Sequence, residues 1–294
     1  MTKVDRRNAL KTIITGTAVA GFSGVISAPL ESFAADSSTT RKGNINHSVC
    51  RWCFSSLTVE ELCIEAKKIG ITAIDLVGPE DWPILKKHGL DSSLCNGAEI
   101  NLVDGWNDPK FHPTLIKNYA EMIPKVAEAG YKSLICFSGN KRGKTDEEGW
   151  NNCAEGLKKV IPIAEKYGVT LVMELLNSKV DHKDYQCDTS AWGVELCKRV
   201  GSENFKLLYD IYHMQIDEGN VIANIRKHHM YFAHYHTAGV PGRNEIGDQQ
   251  ELYYPAIMRA IFATGFKGYV AQEFIPKEAN KIASLKKAIE ICDI

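Results

Sequence analysis

Strand-like and helix-like segments alternate along most of this chain, and that alternation limits its fold more than any other feature of the sequence. Eight short runs are apolar enough to form buried strands. They lie at residues 47–53, 72–77, 92–96, 133–137, 170–176, 205–211, 231–236 and 268–274. Amphipathic segments with helical periodicity fall between them. They lie at residues 59–69, 114–129, 147–167, 191–200, 221–228 and 254–263, and a last one at 283–292 closes the chain.

This order of elements predicts one domain of a particular kind. Strands that alternate with helices form parallel βαβ units. Eight such units in about 245 residues, with no change of composition to mark a second domain, predict a single (β/α)8 TIM barrel with parallel strands. An open doubly wound sheet is disfavoured because no glycine-rich nucleotide loop follows the first strand. Gly139 and Gly143 follow the fourth strand and lack P-loop spacing.

The first 35 residues differ in character from the rest. Arg6 and Arg7 precede a weakly apolar stretch at 12–26, and Ala34-Ala35 offers a small-residue cleavage site. These features are typical of a cleavable twin-arginine export signal. We therefore predict a signal segment at 1–35, a polar disordered linker at 36–46 and a barrel at 47–294, with a periplasmic location. The alternative is an uncleaved signal that tethers the protein to the membrane, although the apolar stretch is short for a span.

Charge and cysteine content exclude some classes of protein. A formal net charge of −1 leaves no electrostatic footprint for nucleic acid. Cys50 and Cys53 have the C-x-x-C spacing of a redox pair, but such a pair needs a helix N-terminus to activate its thiol. The sequence around them predicts an extended strand, which argues against redox chemistry. Nine cysteines in a chain of this size also do not indicate a disulfide framework.

Four polar side chains lie where buried strands end, a position where an isolated charge is unfavourable. We call these residues the polar quartet: Glu174, Asp210, His236 and Glu273. They belong to strands five to eight, whose carboxyl ends share the mouth of a barrel, where active sites of this architecture lie. Three carboxylates and one imidazole are a donor set for Mn²⁺ or Mg²⁺, with Co²⁺ or Zn²⁺ as alternatives. The polar quartet therefore predicts a shared divalent metal.

Two further residues are predicted at the same mouth. His213 follows Asp210 by three residues, on what the sequence predicts to be an extension of the sixth strand. Arg243 ends the sequence Pro241-Gly242-Arg243 after the seventh strand, and its guanidinium suits a bidentate contact with a substrate carboxylate.

Three stretches carry a family resemblance: Tyr209-Asp210-Ile211-Tyr212-His213-Met214-Gln215, then His234-Tyr235-His236-Thr237-Ala238-Gly239-Val240-Pro241-Gly242-Arg243, then Gln272-Glu273-Phe274. With them, residues 47–294 resemble the xylose isomerase-like barrel superfamily and, more narrowly, the hydroxypyruvate isomerase family. The resemblance implies one divalent metal held by the polar quartet, with His213 and Arg243 facing the substrate. It also implies interconversion of hydroxypyruvate and 2-hydroxy-3-oxopropanoate. Close relatives epimerise ketoses at C3.

The residues permit two kinds of proton transfer. Moving a carbonyl to the adjacent carbon requires a proton to leave one carbon and reach the next through an enediolate, which a metal stabilises. Glu174 and Glu273 come from strands three apart, so each is both a candidate ligand and a candidate general acid/base. Isomerisation requires one base on one face, whereas epimerisation requires two bases on opposite faces. The sequence does not choose between an isomerase and a ketose 3-epimerase.

Two further function classes follow from the same barrel. An endonuclease IV-like phosphodiesterase shares the Asp-x-x-His and His-x-His patterns at 210–213 and 234–236, but it needs three zinc ions and further histidines. The predicted strands two to four end near Val77, Asn96 and Ser138 instead. A non-catalytic sugar-binding barrel would not need two facing glutamates on a metal. We expect a small hydroxycarbonyl or sugar substrate and no nucleic-acid partner. We also expect no stable membrane span after signal removal. The sequence is compatible with a homo-oligomer.

Overall fold

Eight parallel strands close into a barrel in chain order, and the last strand pairs with the first. The computed structural model describes residues 41–294. The strands are β1 Asn46–Cys50, β2 Ala73–Val77, β3 Asp91–Cys95, β4 Ser133–Cys136, β5 Thr170–Glu174, β6 Phe205–Asp210, β7 Phe232–Thr237 and β8 Tyr269–Gln272. The predicted TIM barrel is confirmed. Each strand is only four to six residues long and ends at the mouth of the barrel.

Helices surround the barrel and link consecutive strands. They are α1 Val59–Ile69, α2 Trp82–Lys87, α3 His112–Glu128, α4 Asp146–Leu157, α5 Ile161–Tyr167, α6 Ser190–Val200, α7 Ile211–Asp217, α8 Val221–His228, α9 Tyr254–Ala263 and α10 Lys281–Cys292. The core fills both the barrel interior and the layer between strands and helices, where apolar side chains from every strand are buried.

The structure differs from the predicted helices at three places. The segment predicted as one helix at 147–167 is two helices, α4 and α5, and Pro162 in the first turn of α5 explains the break. Proline has no N–H to continue the preceding helix and is accommodated in the first turn of a new one. Two short helices were not predicted: α2 has six residues, and α7 follows β6 without an intervening loop.

The C-x-x-C segment is not an extended strand, so that part of the prediction is wrong. The first strand ends at Cys50, and residues Arg51–Phe54 form a 3-10 helix that buries Phe54. The Phe54 ring packs edge-to-face on Phe274, with ring centroids 6.0 Å apart. Burial raises the pKa of the Cys50 and Cys53 thiols well above their ordinary value. Within residues 41–294 all nine cysteines are free and buried.

The amino-terminal end of the described chain contacts the barrel. The Arg41 guanidinium donates to the Ile69 carbonyl (3.0 and 2.6 Å), and the Lys42 N–H donates to the Asp293 carboxylate (3.1 Å). Residues 41–46 of the predicted linker therefore pack against α1 and the carboxyl terminus. The predicted signal at 1–35 and the first part of the linker lie outside the described residues. Among residues 41–294, no helix combines the length and the apolar character that a bilayer span requires.

His47 is a buried histidine at the amino-terminal end of β1. Only 4% of His47 is exposed, and neither ring nitrogen has a hydrogen-bond partner among the described residues. Burial therefore lowers the pKa of His47 from 6.5 to about 4. Between pH 6.5 and 4, His47 binds a proton in the unfolded chain but not in the folded chain. Stability from this residue is thus complete above pH 6.5 and is lost as the pH falls towards 4.

We predict that His47→Leu will flatten the pH dependence of the free energy of unfolding between pH 6.5 and 4. The shift corresponds to about 3 kcal/mol across that range. Urea unfolding followed at several pH values measures the effect, with the surface variant His229→Leu as the control. An unchanged slope in His47→Leu would contradict the burial argument.

Candidate metal centre

The polar quartet converges at the mouth of the barrel. Glu174 and Asp210 are the last residues of β5 and β6, His236 lies in β7, and Glu273 directly follows β8. Each is at most 4% exposed. One potential ligand atom from each of the four residues lies within 4.8 Å of the others. The barrel thus brings together the four residues predicted to share a metal.

The His236 imidazole is the centre of the cluster. Its Nδ1 lies 2.9 Å from Glu273 Oε2, 3.3 Å from Glu174 Oε1 and 3.9 Å from Asp210 Oδ2. Its Nε2 lies 2.8 Å from Asp75 Oδ2. Burial alone would lower the pKa of His236, but the charge of Glu273 and the hydrogen bond to Asp75 raise it well above the ordinary value. A protonated His236 ring therefore offsets part of the negative charge of the surrounding carboxylates.

Two oxygens of the polar quartet fit the requirements of a metal site. Glu174 Oε1 and Asp210 Oδ2 are buried without a hydrogen-bond partner among the described residues. Burial and the nearby charge of Glu273 raise the pKa of both carboxyl groups. Unpartnered buried oxygens of this kind are unfavourable unless a cation approaches them. The quartet therefore fits a divalent ion of the oxygen-preferring kind, with one imidazole ligand.

The two glutamates of the quartet have different environments. Glu273 Oε1 accepts a hydrogen bond from the Trp52 indole N–H (2.8 Å), and its Oε2 accepts from Arg243 Nη2 (2.6 Å) and contacts His236. Burial alone would raise the pKa of Glu273, but the charges of Arg243 and His236 hold it well below the ordinary value. Glu174 has no such partners beyond His236. Glu273 is therefore held as an anion, whereas burial and the charge of Glu273 favour the protonated form of Glu174.

Arg243 lies directly beside the quartet, as the sequence predicted for a mouth residue. Its guanidinium is placed over the rings of Trp52 and Tyr212, 5.1 and 5.5 Å from their centroids. Its backbone adopts a φ of 58°, which is uncommon for a residue other than glycine. The Arg243 N–H donates to the Gly239 carbonyl, and the Ile275 N–H donates to the Arg243 carbonyl. These two hydrogen bonds hold the conformation. Arg243 Nε is buried without a hydrogen-bond partner within the described part of the chain.

His213 reaches the mouth from a helix rather than from a strand extension, so that prediction is corrected. The Asp210 carboxylate accepts a hydrogen bond from the His213 N–H (3.1 Å) and so caps α7, which begins directly after β6. This cap is a common way for an aspartate to start a helix. The chain therefore turns into a helix at the point where the apolar pattern alone predicts a continuing strand.

The protonation state of His213 follows from its partner. Asn177 Oδ1 accepts from the N–H groups of Val180 and Asp181, so Asn177 Nδ2 must be the group that donates to His213 Nδ1 (2.6 Å). Burial and the charge of Arg243 lower the pKa of His213 well below its ordinary value. The ring is therefore neutral and carries its hydrogen on Nε2, which is buried without a hydrogen-bond partner among residues 41–294. His213 thus offers a single N–H donor at the site.

Three residues of the site were missed at the level of sequence. Asp75 is a fully buried carboxylate within β2, and it has the same anomaly that singled out Glu174. The criterion of a carboxylate in an apolar run would have found it. Trp52 and Asn177 carry no such signal, because a tryptophan in a C-x-x-C motif and an asparagine after a strand occur in many unrelated contexts.

Several curated proteins are similar to part of this chain. A human protein whose name describes it provisionally as a hydroxypyruvate isomerase is 30% identical over 123 residues, which cover 42% of this chain and 44% of the human protein. A 2-oxo-tetronate isomerase from Cupriavidus necator is 33% identical over 123 residues, 42% of this chain and 46% of that protein. A D-psicose 3-epimerase from Ruminiclostridium cellulolyticum is 32% identical over 144 residues, 47% and 46% of the respective chains. The matched segments span less than half the length of these relatives.

Solved structures share the fold at lower identity. The structure of an AP endonuclease of family 2 from Brucella melitensis has a TM-score of 0.73 and 23% identity, and covers 82% of this chain and 97% of that one. The structure of the IolI protein with a zinc atom has a TM-score of 0.65 and 17% identity, covering 84% and 95%.

The family model of the xylose isomerase-like TIM barrel matches residues 65–293, a range that begins within α1 and ends after α10. This range contains all four residues of the polar quartet as well as His213 and Arg243. The closed parallel barrel and the family match together establish that this chain belongs to the xylose isomerase-like TIM barrel family.

Proposed function

We propose that this protein is a metal-dependent isomerase of a small hydroxycarbonyl compound, of the type that converts hydroxypyruvate to 2-hydroxy-3-oxopropanoate. The observation that carries the proposal is the polar quartet, whose four potential ligand atoms lie within 4.8 Å of one another at the barrel mouth. The similar proteins named as isomerases and epimerases support the same class of reaction.

The polar quartet would hold one divalent ion, for which Mn²⁺ or Mg²⁺ suits the three carboxylates and Co²⁺ or Zn²⁺ are alternatives. A bound ion would polarise the substrate carbonyl and acidify the neighbouring C–H group. The zinc atom in the similar IolI structure supports a metal in a barrel of this kind, although it does not identify the ion used here.

Glu174 is the proton carrier in this proposal. For hydroxypyruvate, its carboxylate removes a proton from C3 to give an enediolate and then returns a proton to C2. The hydroxyl hydrogen passes from O3 to O2, so atoms and electrons balance without a redox partner. Glu174 suits this role because its Oε1 lacks a hydrogen-bond partner in the described structure. Glu273 suits the role of a fixed ligand because Trp52, Arg243 and His236 already engage both of its oxygens.

Two buried donors suit the substrate oxygens. The His213 Nε2–H and the Arg243 Nε–H both lack partners within residues 41–294. The neutral imidazole suits a carbonyl or hydroxyl oxygen, while the guanidinium suits a carboxylate. A 2-oxo acid carries both kinds of oxygen. This match favours a substrate with a carboxylate next to its carbonyl carbon.

The ketose 3-epimerase alternative requires a second base on the opposite face of the substrate. Glu273 is the only other glutamate of the quartet, and its anionic form is stabilised by two cationic groups. A carboxylate held in this way is a weak base. The different environments of the two glutamates therefore favour isomerisation over epimerisation.

We predict that Glu174→Gln will lower kcat by roughly 10³-fold and abolish deuterium incorporation into substrate and product in deuterated water. Proton NMR of protein saturated with Mn²⁺ or Mg²⁺ measures both effects on a panel of 2-oxo acids and ketoses. Glu128→Gln, at an exposed position at the end of α3, is the matched control. Continued exchange in Glu174→Gln would contradict its role as base. Substrate binding by the wild-type protein without any exchange would instead favour a non-catalytic sugar-binding barrel.

Metal content separates the isomerase from the endonuclease IV-like alternative. We predict about one divalent ion per chain after reconstitution, measured by inductively coupled plasma mass spectrometry, and loss of activity on chelation that added Mn²⁺ restores. The physical reason is that the quartet has the ligands for one ion, and strands β2, β3 and β4 contribute no histidine. Three zinc ions per chain would contradict the isomerase proposal.

We also propose that residues 1–35 direct export to the periplasm through the twin-arginine route. An exported enzyme would meet an extracellular sugar, sugar acid or glycoside derivative rather than cytoplasmic hydroxypyruvate. Fractionation of cells that express the full chain should recover a shortened amino terminus in the periplasm. Replacing both Arg6 and Arg7 by Lys should retain the chain in the cytoplasm, because this pathway requires the arginine pair. An intact Met1 chain in the cytosol of wild-type cells would overturn the proposal.

A further inference from the structure

We propose that Asp75 is a positioning residue of the metal centre, which holds His236 so that its Nδ1 faces the other members of the polar quartet. The inference rests on the proposed function, because it assumes that the quartet binds an ion. It concerns a residue of β2, on the side of the barrel opposite β5 and β6.

Asp75 lies in the closed interior of the barrel and is fully buried. Its Oδ2 lies 2.8 Å from His236 Nε2 and accepts a hydrogen bond from the Cys50 thiol (3.2 Å). Its Oδ1 lies 3.0 Å from His234 Nε2 and accepts from the Ser93 hydroxyl. No lysine or arginine forms an ion pair with Asp75 among the described residues. The histidines of β7 are therefore the basic groups that face its carboxylate.

This contact determines which nitrogen of His236 can bind an ion. An ionised carboxylate has acceptors only, so the ring nitrogen that faces it must carry a hydrogen. Nε2 is consequently the protonated nitrogen, and Nδ1 is the nitrogen that presents its lone pair once an ion replaces its proton. Nδ1 is also the atom that lies 2.9 Å from Glu273 and 3.3 Å from Glu174. A carboxylate behind a ligating imidazole is a common arrangement that orients the ring and increases its basicity.

His234 keeps the Asp75 carboxylate in the required orientation. It precedes His236 by two residues in β7, so both side chains point into the barrel. The two imidazoles face different oxygens of Asp75, and this arrangement favours the carboxylate orientation in which Oδ2 faces His236. The same three residues also place three potential ligand atoms within 4.8 Å of one another. A second ion bound to these three residues would need the lone pair of His236 Nε2. In the positioning role that we propose for Asp75, Nε2 carries a hydrogen, so the two arrangements exclude each other.

The test compares the wild-type protein with Asp75→Asn. An asparagine has one acceptor oxygen instead of two and carries no charge, so His236 loses its charged acceptor and one of the two histidines faces an amide NH2 group. We expect the zinc affinity, measured by competition with a chelating dye, to weaken by roughly 10–100-fold. Asp188→Asn is the matched control, since its carboxylate accepts a hydrogen bond from Ser178 Oγ (2.7 Å) on the rim. We expect that control to change the affinity by less than about threefold, as is usual for surface sites.

A second measurement does not depend on the variant folding. In zinc-loaded wild-type protein labelled with ¹⁵N-histidine, long-range NMR spectra should show His236 coordinated through Nδ1 and protonated on Nε2. Unchanged zinc affinity in Asp75→Asn, or coordination of wild-type His236 through Nε2, or two zinc ions per chain would each overturn the inference.

These outcomes are separable from the fate of the proposed reaction, since none of the measurements uses a substrate. Weaker zinc binding in Asp75→Asn together with no proton exchange in any wild-type reaction would leave the positioning role intact and remove the isomerase. A wild-type protein that binds no divalent ion would overturn both.

Discussion

The contact between the His236 imidazole and three buried carboxylates is the interaction on which the site depends. Glu174, Asp210 and Glu273 lie at the ends of separate strands, and their charges would repel one another strongly in a site with little water. A cation at a single position among them, whether an imidazolium or a metal ion, offsets part of this charge. The barrel imposes this crowding because the carboxyl ends of its strands share one mouth. The buried charges that must be offset for the protein to fold therefore belong to the same residues that we propose as metal ligands.

The surroundings of the quartet assign different roles to residues of the same type. Trp52 and Arg243 hold Glu273 as an anion, while Glu174 keeps an oxygen without a partner. A general base works best when its pKa lies near the pH of the reaction, whereas a ligand works best when it stays ionised. Arg243 stabilises the anionic form of Glu273 and keeps a buried Nε without a hydrogen-bond partner within residues 41–294. In the reaction proposed above, this asymmetry favours transfer of a proton on one face.

Much of the fold could be predicted because strand and helix periodicities are local properties. The eight strands lie within a few residues of their predicted bounds, since each is a short apolar run followed by an amphipathic segment. The errors occurred where a local signal was overridden. Pro162 divided a segment whose apolar pattern continues, and the Asp210 side chain began a helix within an apolar run. In each case one side chain decided the backbone direction.

The sequence by itself determined the barrel and the identity of the polar quartet, because a polar residue at the end of a buried strand is anomalous in any fold. It also determined that Arg243 and His213 would lie near the quartet, since each follows a quartet strand closely. Only the tertiary structure decided what these residues do. Asp75 and His236 are 161 residues apart and meet only when the barrel closes. Trp52 reaches Glu273 across 221 residues for the same reason. Protonation states depend on such distant partners and on burial, and neither is encoded in the local pattern of the chain.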